Sequence, residues 1–278
     1  MTKISFHLNE IPWQTFTEKK WGTLRWKELL NQKQGGSMEF IFGLAELPVG
    51  GVLPLHAHQQ AETDYILSGK ARFRLGLRSL ESGPRSALYF PCGAPHSIEN
   101  LGSEPFRYIY TYACEALGQP VDSKLVDQTT ANQVDIVNKG NKRWAIREEV
   151  EPWYASEVSK GLAHRIRDLF DIQHGGTQEM LVGIAELDPG IHYTLHYHEQ
   201  PEIYFVTSGG RGVIYVDDKA YEATPGSAFY IGKRVPHGMD SIGKEVLRVY
   251  YVYGTETTGQ EDSWTPVEDI YDEVRWRR

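Results

Sequence analysis

The amino-acid sequence predicts an all-β protein made of two tandem barrels, and three observations carry that prediction. The chain of 278 residues repeats itself at a spacing of 140: Pro12-Trp13 returns as Pro152-Trp153, Gly35-Gly36-Ser37 as Gly175-Gly176-Thr177, and GLAELPVG (43–50) as GIAELDPG (183–190). Past a one-residue insertion the spacing becomes 141, so that SALYF (86–90) matches SAFYI (227–231) and RYIYTYACE (107–115) matches RVYYVYGTE (248–256). Two copies of this length are two domains of one fold, because a solenoid needs shorter and more numerous units. Within each copy, segments such as EFIFGLAEL, YILSGKARFRL, IYFVTSGGRGVIYV and LRVYYVY are rich in Val, Ile, Tyr and Phe. Turn signals (PVGG, SGP, DPG, VDDK, TPGS) interrupt them every 8–12 residues, the spacing of a β-sandwich or barrel.

The elements follow in order. Residues 1–117 form the first barrel, 118–150 a connector that opens with the polar stretch GQPVDSKLVDQTTANQ, and 151–278 the second barrel. LRWKELLNQ (24–32) and HRIRDLFDI (164–172) carry apolar residues at helical spacing without internal Gly or Pro, which predicts a short helix ahead of each barrel. Arg107 and Arg248 occupy matching places and are expected to pair with the repeated Glu46 and Glu186. Arg72 and Arg74 share a parity and are read as facing solvent; an inward pair would instead hold an anion. The tyrosines of YIYTY and VYYVY must face either a barrel interior or an opposing sheet.

Composition narrows the function classes. The net charge is −8 and no Lys/Arg run occurs, so neither a nucleic acid nor a membrane is an expected partner. The N-terminus lacks the apolar core of a signal peptide, and no apolar run reaches the length of a membrane span. A soluble, cytoplasmic protein is expected, with Cys92 and Cys114 as reduced thiols rather than a pair. Exposed edge strands and aromatic-rich sheets favour a homodimer. GxSxG, GxxxxGK[ST] and a strand-linked GxGxxG are all missing.

The chemistry lies in HAHQQAE (56–62) and HYHEQPE (196–202). Residues two apart on a strand face one side, so His56 points with His58 and His196 with His198, while Glu62 and Glu202 keep the same parity. Imidazoles and a carboxylate converging inside a barrel are costly to bury unless something pairs them. A divalent first-row metal does so. His96 in APH and His237 in VPH are candidate fourth ligands. His7, His164, His174 and His192 have no counterpart in the other copy and are read as lying at the surface or behind a ligand.

At this point the chain resembles the cupin superfamily. Gly50, His56, His58, Glu62 and Gly69 fit the first cupin motif, G(x)5HxH(x)3E(x)6G, and Gly190, His196, His198, Glu202 and Gly209 fit it again. Pro91, Gly93, His96 and Asn100 match the end of the second motif, PxGxxH(x)3N, whereas the second copy has Gly232, Arg234 and Ser241 in place of Pro, Gly and Asn. The resemblance implies a bicupin: two double-stranded β-helix (jelly-roll) barrels, each with a three-His, one-Glu metal site, hence up to two Fe, Mn, Ni or Zn ions per chain.

Two residues past the glutamate the copies part, with Asp64 in the first and Tyr204 in the second. Both are candidate catalytic groups, Tyr204 as a proton donor or acceptor and Asp64 as a base or a support for a ligand. Tyr204 also resembles the metal-side tyrosine of the single-domain cupin lyases that cleave dimethylsulfoniopropionate, and it favours the second barrel as the catalytic one. The leading expectation is a metal-dependent enzyme acting on a small organic molecule, foremost an iron-type dioxygenase by analogy with bicupin dioxygenases of phenolic substrates. Alternatives are a non-redox lyase, isomerase or decarboxylase, and a metal-assisted ligand-binding or sensor protein without turnover.

Overall fold

The computed structural model of the chain describes residues 3–113, 121–129, 143–155, 163–254 and 265–266. Each half is a barrel in which a seven-stranded sheet faces a five-stranded one. In the first barrel the large sheet is centred on Ala61–Ser68, Phe106–Ala113 and Phe40–Leu47. Its small sheet is centred on Val52–Ala57, His96–Asn100 and Ala71–Leu75. The second barrel repeats the plan with Glu202–Gly209, Leu247–Gly254 and Met180–Leu187 against His192–Tyr197, His237–Ser241 and Gly212–Val216. The two-barrel prediction holds.

The two expected helices are strands. Residues Arg25–Leu30 pair antiparallel with Phe40–Leu47, and His164–Phe170 pair with Met180–Leu187. Each carries a bulge, between Glu28 and Leu30 and between Asp168 and Phe170. The extra residue breaks the period-two alternation, so Trp26, Leu29 and Leu30 stand at i, i+3 and i+4 and imitate a helical spacing. The solvent side of these strands explains the repeated Pro-Trp. The Arg25 and Lys27 head groups lie 4.4 and 5.0 Å from the Trp13 ring, and Arg167 and Arg165 lie 4.0 and 5.6 Å from Trp153.

The outer faces of the two large sheets pack on each other. Thus Phe40, Phe42, Tyr65 and Ile109 of one barrel share a buried cluster with Met180, Val182, Phe205 and Tyr250 of the other. Both faces of these strands are therefore covered, which is why FIFGLAEL and YIYTYA read as almost continuous apolar runs. The packing is reciprocal: Tyr89 donates to Glu179 at 2.7 Å, and its counterpart Tyr230 donates to Glu39 at 2.8 Å.

The barrels also exchange their leading strands. Ser5–His7 pairs with Ser227–Ile231 of the second barrel, and Ala145–Arg147 pairs with Ser86–Phe90 of the first. Phe6 and Ile146 occupy equivalent positions in the shared cluster. Much of the span read as a connector lies outside the described residues; the described parts on either side of it include the short strands Lys124–Leu125 and Ala145–Arg147. Cys114 and the terminal Arg275 to Arg278 also lie outside them.

Buried charge ties the halves together. Glu46 pairs with Arg107 and Glu186 with Arg248, as the sequence predicts, and each carboxylate also takes a second arginine, Arg25 and Arg165. Arg248 reaches further, to Glu148, which also accepts from Tyr65 of the first barrel at 2.7 Å and from Arg85. Arg72 and Arg74 do face outward; Arg72 pairs with Glu81 and Glu99 at the surface.

Candidate metal centres

In the first barrel, His56 lies on Val52–Ala57, His58 in the turn that follows, and Glu62 on Ala61–Ser68. The antiparallel pairing sets His96 directly opposite His56. All four side chains are buried. Each imidazole gives its Nδ1 proton to a backbone carbonyl two residues away: His56 to Pro54, His58 to Gln60 and His96 to Ala94, all at 2.9 Å. A carbonyl only accepts, so the proton sits on Nδ1 and each Nε2 turns a lone pair inward. Possible ligand nitrogens of the three rings lie within 4.8 Å of one another. Glu62 Oε2 sits among them, 3.0 Å from both His58 Nε2 and His96 Nε2.

The second barrel reproduces the set. His196, His198 and His237 bond through Nδ1 to the carbonyls of Thr194, Gln200 and Val235 at 3.0, 2.8 and 2.8 Å. Glu202 Oε2 lies 3.3 Å from His198 Nε2 and 3.0 Å from His237 Nε2. The loop that departs from the second motif keeps its shape. Arg234 takes the left-handed conformation of Gly93, at φ 57° against 71°, and its N–H bonds the His198 carbonyl at 2.9 Å as Gly93 bonds that of His58 at 2.8 Å.

Burial, followed by the neighbouring imidazoles His96 and His58, lowers the His56 pKa to about 3. Burial, and then His237, hold His196 well below its ordinary value. Burial raises the carboxyls of Glu62 and Glu202, but the imidazoles beside them, His58 and His96 in one barrel and His198 and His237 in the other, outweigh it and hold both below the usual range. Neutral imidazoles beside an ionised carboxylate are the protonation state that a divalent cation requires. His96 Nε2, His237 Nε2 and Glu202 Oε1 are buried without a hydrogen-bond partner, a cost that a bound cation removes. Both quartets therefore fit a transition metal.

These shifts carry a pH prediction. Between about pH 6.5 and 3 the unfolded chain protonates His56 and the folded one does not, so stability falls as pH drops below 6.5. His56 contributes about 1.4 kcal/mol per pH unit in that window. Protein stripped of metal is expected to show a urea midpoint that drops from pH 7 to pH 5.5. A midpoint that stays put contradicts the buried, neutral imidazoles.

Repeated glycines leave room for inward tyrosines. A Cβ on Gly43 would lie 2.5 Å from the Tyr110 hydroxyl, and one on Gly183 would lie 2.3 Å from that of Tyr251. Around the quartets the two barrels differ. Asp64 is fully buried and neither of its oxygens is hydrogen-bonded; burial and the Glu62 charge raise its pKa. Tyr204 is buried with its ring edge-on to His237 at 5.8 Å. Two more residues appear at the second quartet: Tyr193, which sequence reasoning did not place there, and His164, which it read as lying at the surface or behind a ligand. The Tyr193 hydroxyl lies 3.4 Å from His196 Nε2, and the buried His164 ring packs 4.2 Å from the Tyr193 ring. Their counterparts Leu53 and Leu24 are apolar. Comparing unlike pairs across the repeat finds both positions. His7, His174 and His192 are partly or fully exposed, as expected.

A family model of the cupin domain matches residues 43–112 and 183–253, just over half of the chain. The chain belongs to the cupin family. Among curated proteins, this cupin is 33% identical over 91 residues to the dimethylsulfoniopropionate lyase DddW of Ruegeria pomeroyi, a match that covers 33% of this chain and 59% of that one. It is 31% identical over 84 residues to an uncharacterized protein of Methanocaldococcus jannaschii, covering 30% and 67%. Among solved structures, a mutant of Bacillus subtilis oxalate decarboxylase OxdC superposes with a TM-score of 0.69 at 17% identity, over 95% of this chain and 80% of that one. The formate complex of Lactobacillus farciminis oxalate decarboxylase gives 0.71 at 15% identity, over 95% and 89%. At these identities the structural likeness establishes the bicupin fold. No helix among the described residues is long and apolar enough to cross a membrane.

Proposed function

We propose that this cupin is a metal-dependent enzyme acting on a small organic molecule, and that its second barrel carries a non-redox proton transfer of the lyase or decarboxylase kind. One observation carries the reading: Tyr204, on the inner face two residues from Glu202, is held edge-on to His237 inside the barrel. His196, His198, Glu202 and His237 would hold the ion, which supplies a Lewis acid for a substrate oxygen. Tyr204 moves the proton at its phenol oxygen, and the apolar walls of Val249, Phe229 and Ile231 keep bulk water away. The names of the relatives, a dimethylsulfoniopropionate lyase and oxalate decarboxylases, lie in the same reaction classes.

The test is a turnover screen of the metal-loaded protein with dimethylsulfoniopropionate, oxalate and other small carboxylates, run with an oxygen electrode. Tyr204→Phe is expected to keep its metal and lose about 100-fold or more in turnover, the scale of a general acid or base. Iron in the protein and oxygen consumed in step with substrate would replace this reading with the dioxygenase. Turnover unaffected by Tyr204→Phe would remove the tyrosine from the chemistry.

A further inference from the structure

The second barrel carries a pair of side chains for which the first has no equivalent. His164 is 1% exposed and Tyr193 9% exposed, so both are interior groups. Their rings lie 4.2 Å apart, and the Tyr193 ring lies 4.6 Å from that of His196. The Tyr193 hydroxyl approaches Nε2 of His196 at 3.4 Å. That nitrogen is the one available to a cation, since Nδ1 is engaged by the Thr194 carbonyl. A cation and a phenol proton cannot share one lone pair. With His196 Nε2 given to an ion, the Tyr193 O–H would turn away from His196 and remain as a donor at the site. At the same places the first barrel has Leu53 and Leu24, which donate nothing, and it adds the carboxyl of Asp64 where the second has Tyr204.

We propose that Tyr193, held in place by His164, makes the second barrel a site for a small anionic ligand such as a carboxylate, and that the first barrel lacks this site. The inference rests on the metal-dependent reading above. Tyr193 is the group that touches the ligand; His164 acts through it as a positioning residue. A phenol donor aimed at a charged oxygen is a charge-assisted bond, stronger than a neutral one. It selects ligands that bring negative charge to the ion over neutral ones of similar size.

Cobalt(II) and azide are the probes, since azide binding changes the visible spectrum of the ion. His56→Ala/His58→Ala leaves only the second barrel to load, and His196→Ala/His198→Ala only the first. Azide is expected to bind the second barrel about tenfold or more tightly than the first, the scale of one bond to a charged group. In the second-barrel form, Tyr193→Phe should keep its cobalt and lose about tenfold in azide affinity. His164→Leu should weaken azide by less, and should add nothing once Tyr193 is Phe, because its effect passes through the phenol. Equal azide affinities in the two barrels overturn the inference without any variant of Tyr193. So does a Tyr193→Phe protein with unchanged affinity, or one that loses its cobalt. Failure of the second barrel to take up cobalt overturns the metal-dependent reading instead and takes the inference with it.

Discussion

Purified without added metal and analysed for its elements, the wild-type chain is expected to carry up to two divalent transition-metal ions, and each paired His→Ala variant to carry one fewer. The argument is local to each quartet. His56 and His58 supply two of the three inward nitrogens of the first site, and His196 and His198 two of the three in the second. The sites lie in different barrels with no ligand in common, so the losses should be independent. A bound ion also stabilises the fold by mass action, by about 2.7 kcal/mol when its free concentration is a hundred times its dissociation constant. Each variant should therefore unfold at lower urea, and a chelator should bring wild type down towards them. A wild-type chain that takes up no ion after incubation with Fe, Mn, Ni or Zn would leave the quartets as relics of the fold.

Glu148→Ala is expected to destabilise the protein by about 3–5 kcal/mol, the cost of breaking a buried ion pair from one side. Glu148 is fully buried and Arg248 is 8% exposed. The carboxylate accepts from Arg248, from Arg85 and from the Tyr65 hydroxyl, so its removal strands cationic and polar groups from both barrels at once. Glu186 alone cannot balance Arg248, since it also serves Arg165. Arg72→Ala is the contrast, because its partners Glu81 and Glu99 are solvated and the change should stay within about 0.5 kcal/mol. Urea denaturation of both variants settles the comparison, and equal midpoints would deny Glu148 its bridging role.

Most of the site was legible because duplication repeats a signal. His56, His58, Glu62 and His96 recur in register as His196, His198, Glu202 and His237; residue parity points each HxH pair to one side, and antiparallel pairing adds the remaining histidine. The pairing of Glu46 with Arg107 was legible for the same reason. Two kinds of information were not. A bulge hides strand alternation, so Arg25–Leu30 and His164–Phe170 looked helical. Proximity between distant strands is not written in local pattern, and His164 reaches Tyr193 only through the closure of the barrel. The exchange of leading strands was invisible as well, since Phe6 and Ile146 read as ordinary apolar residues until each is seen paired with the far half.

That exchange makes one chain the physical equivalent of a strand-swapped pair of molecules. Each barrel depends on a strand from the other to cover the edge at Ser86–Phe90 or Ser227–Ile231, edges that would otherwise recruit a foreign strand. Tethering replaces a bimolecular encounter with an intramolecular one at a local concentration of about millimolar. A symmetric pair must change both halves together, because one gene writes both. A tethered pair is free of that constraint: Leu24, Leu53 and Asp64 in one half can stand against His164, Tyr193 and Tyr204 in the other, while the shared core of Phe42, Phe205 and Tyr250 stays intact.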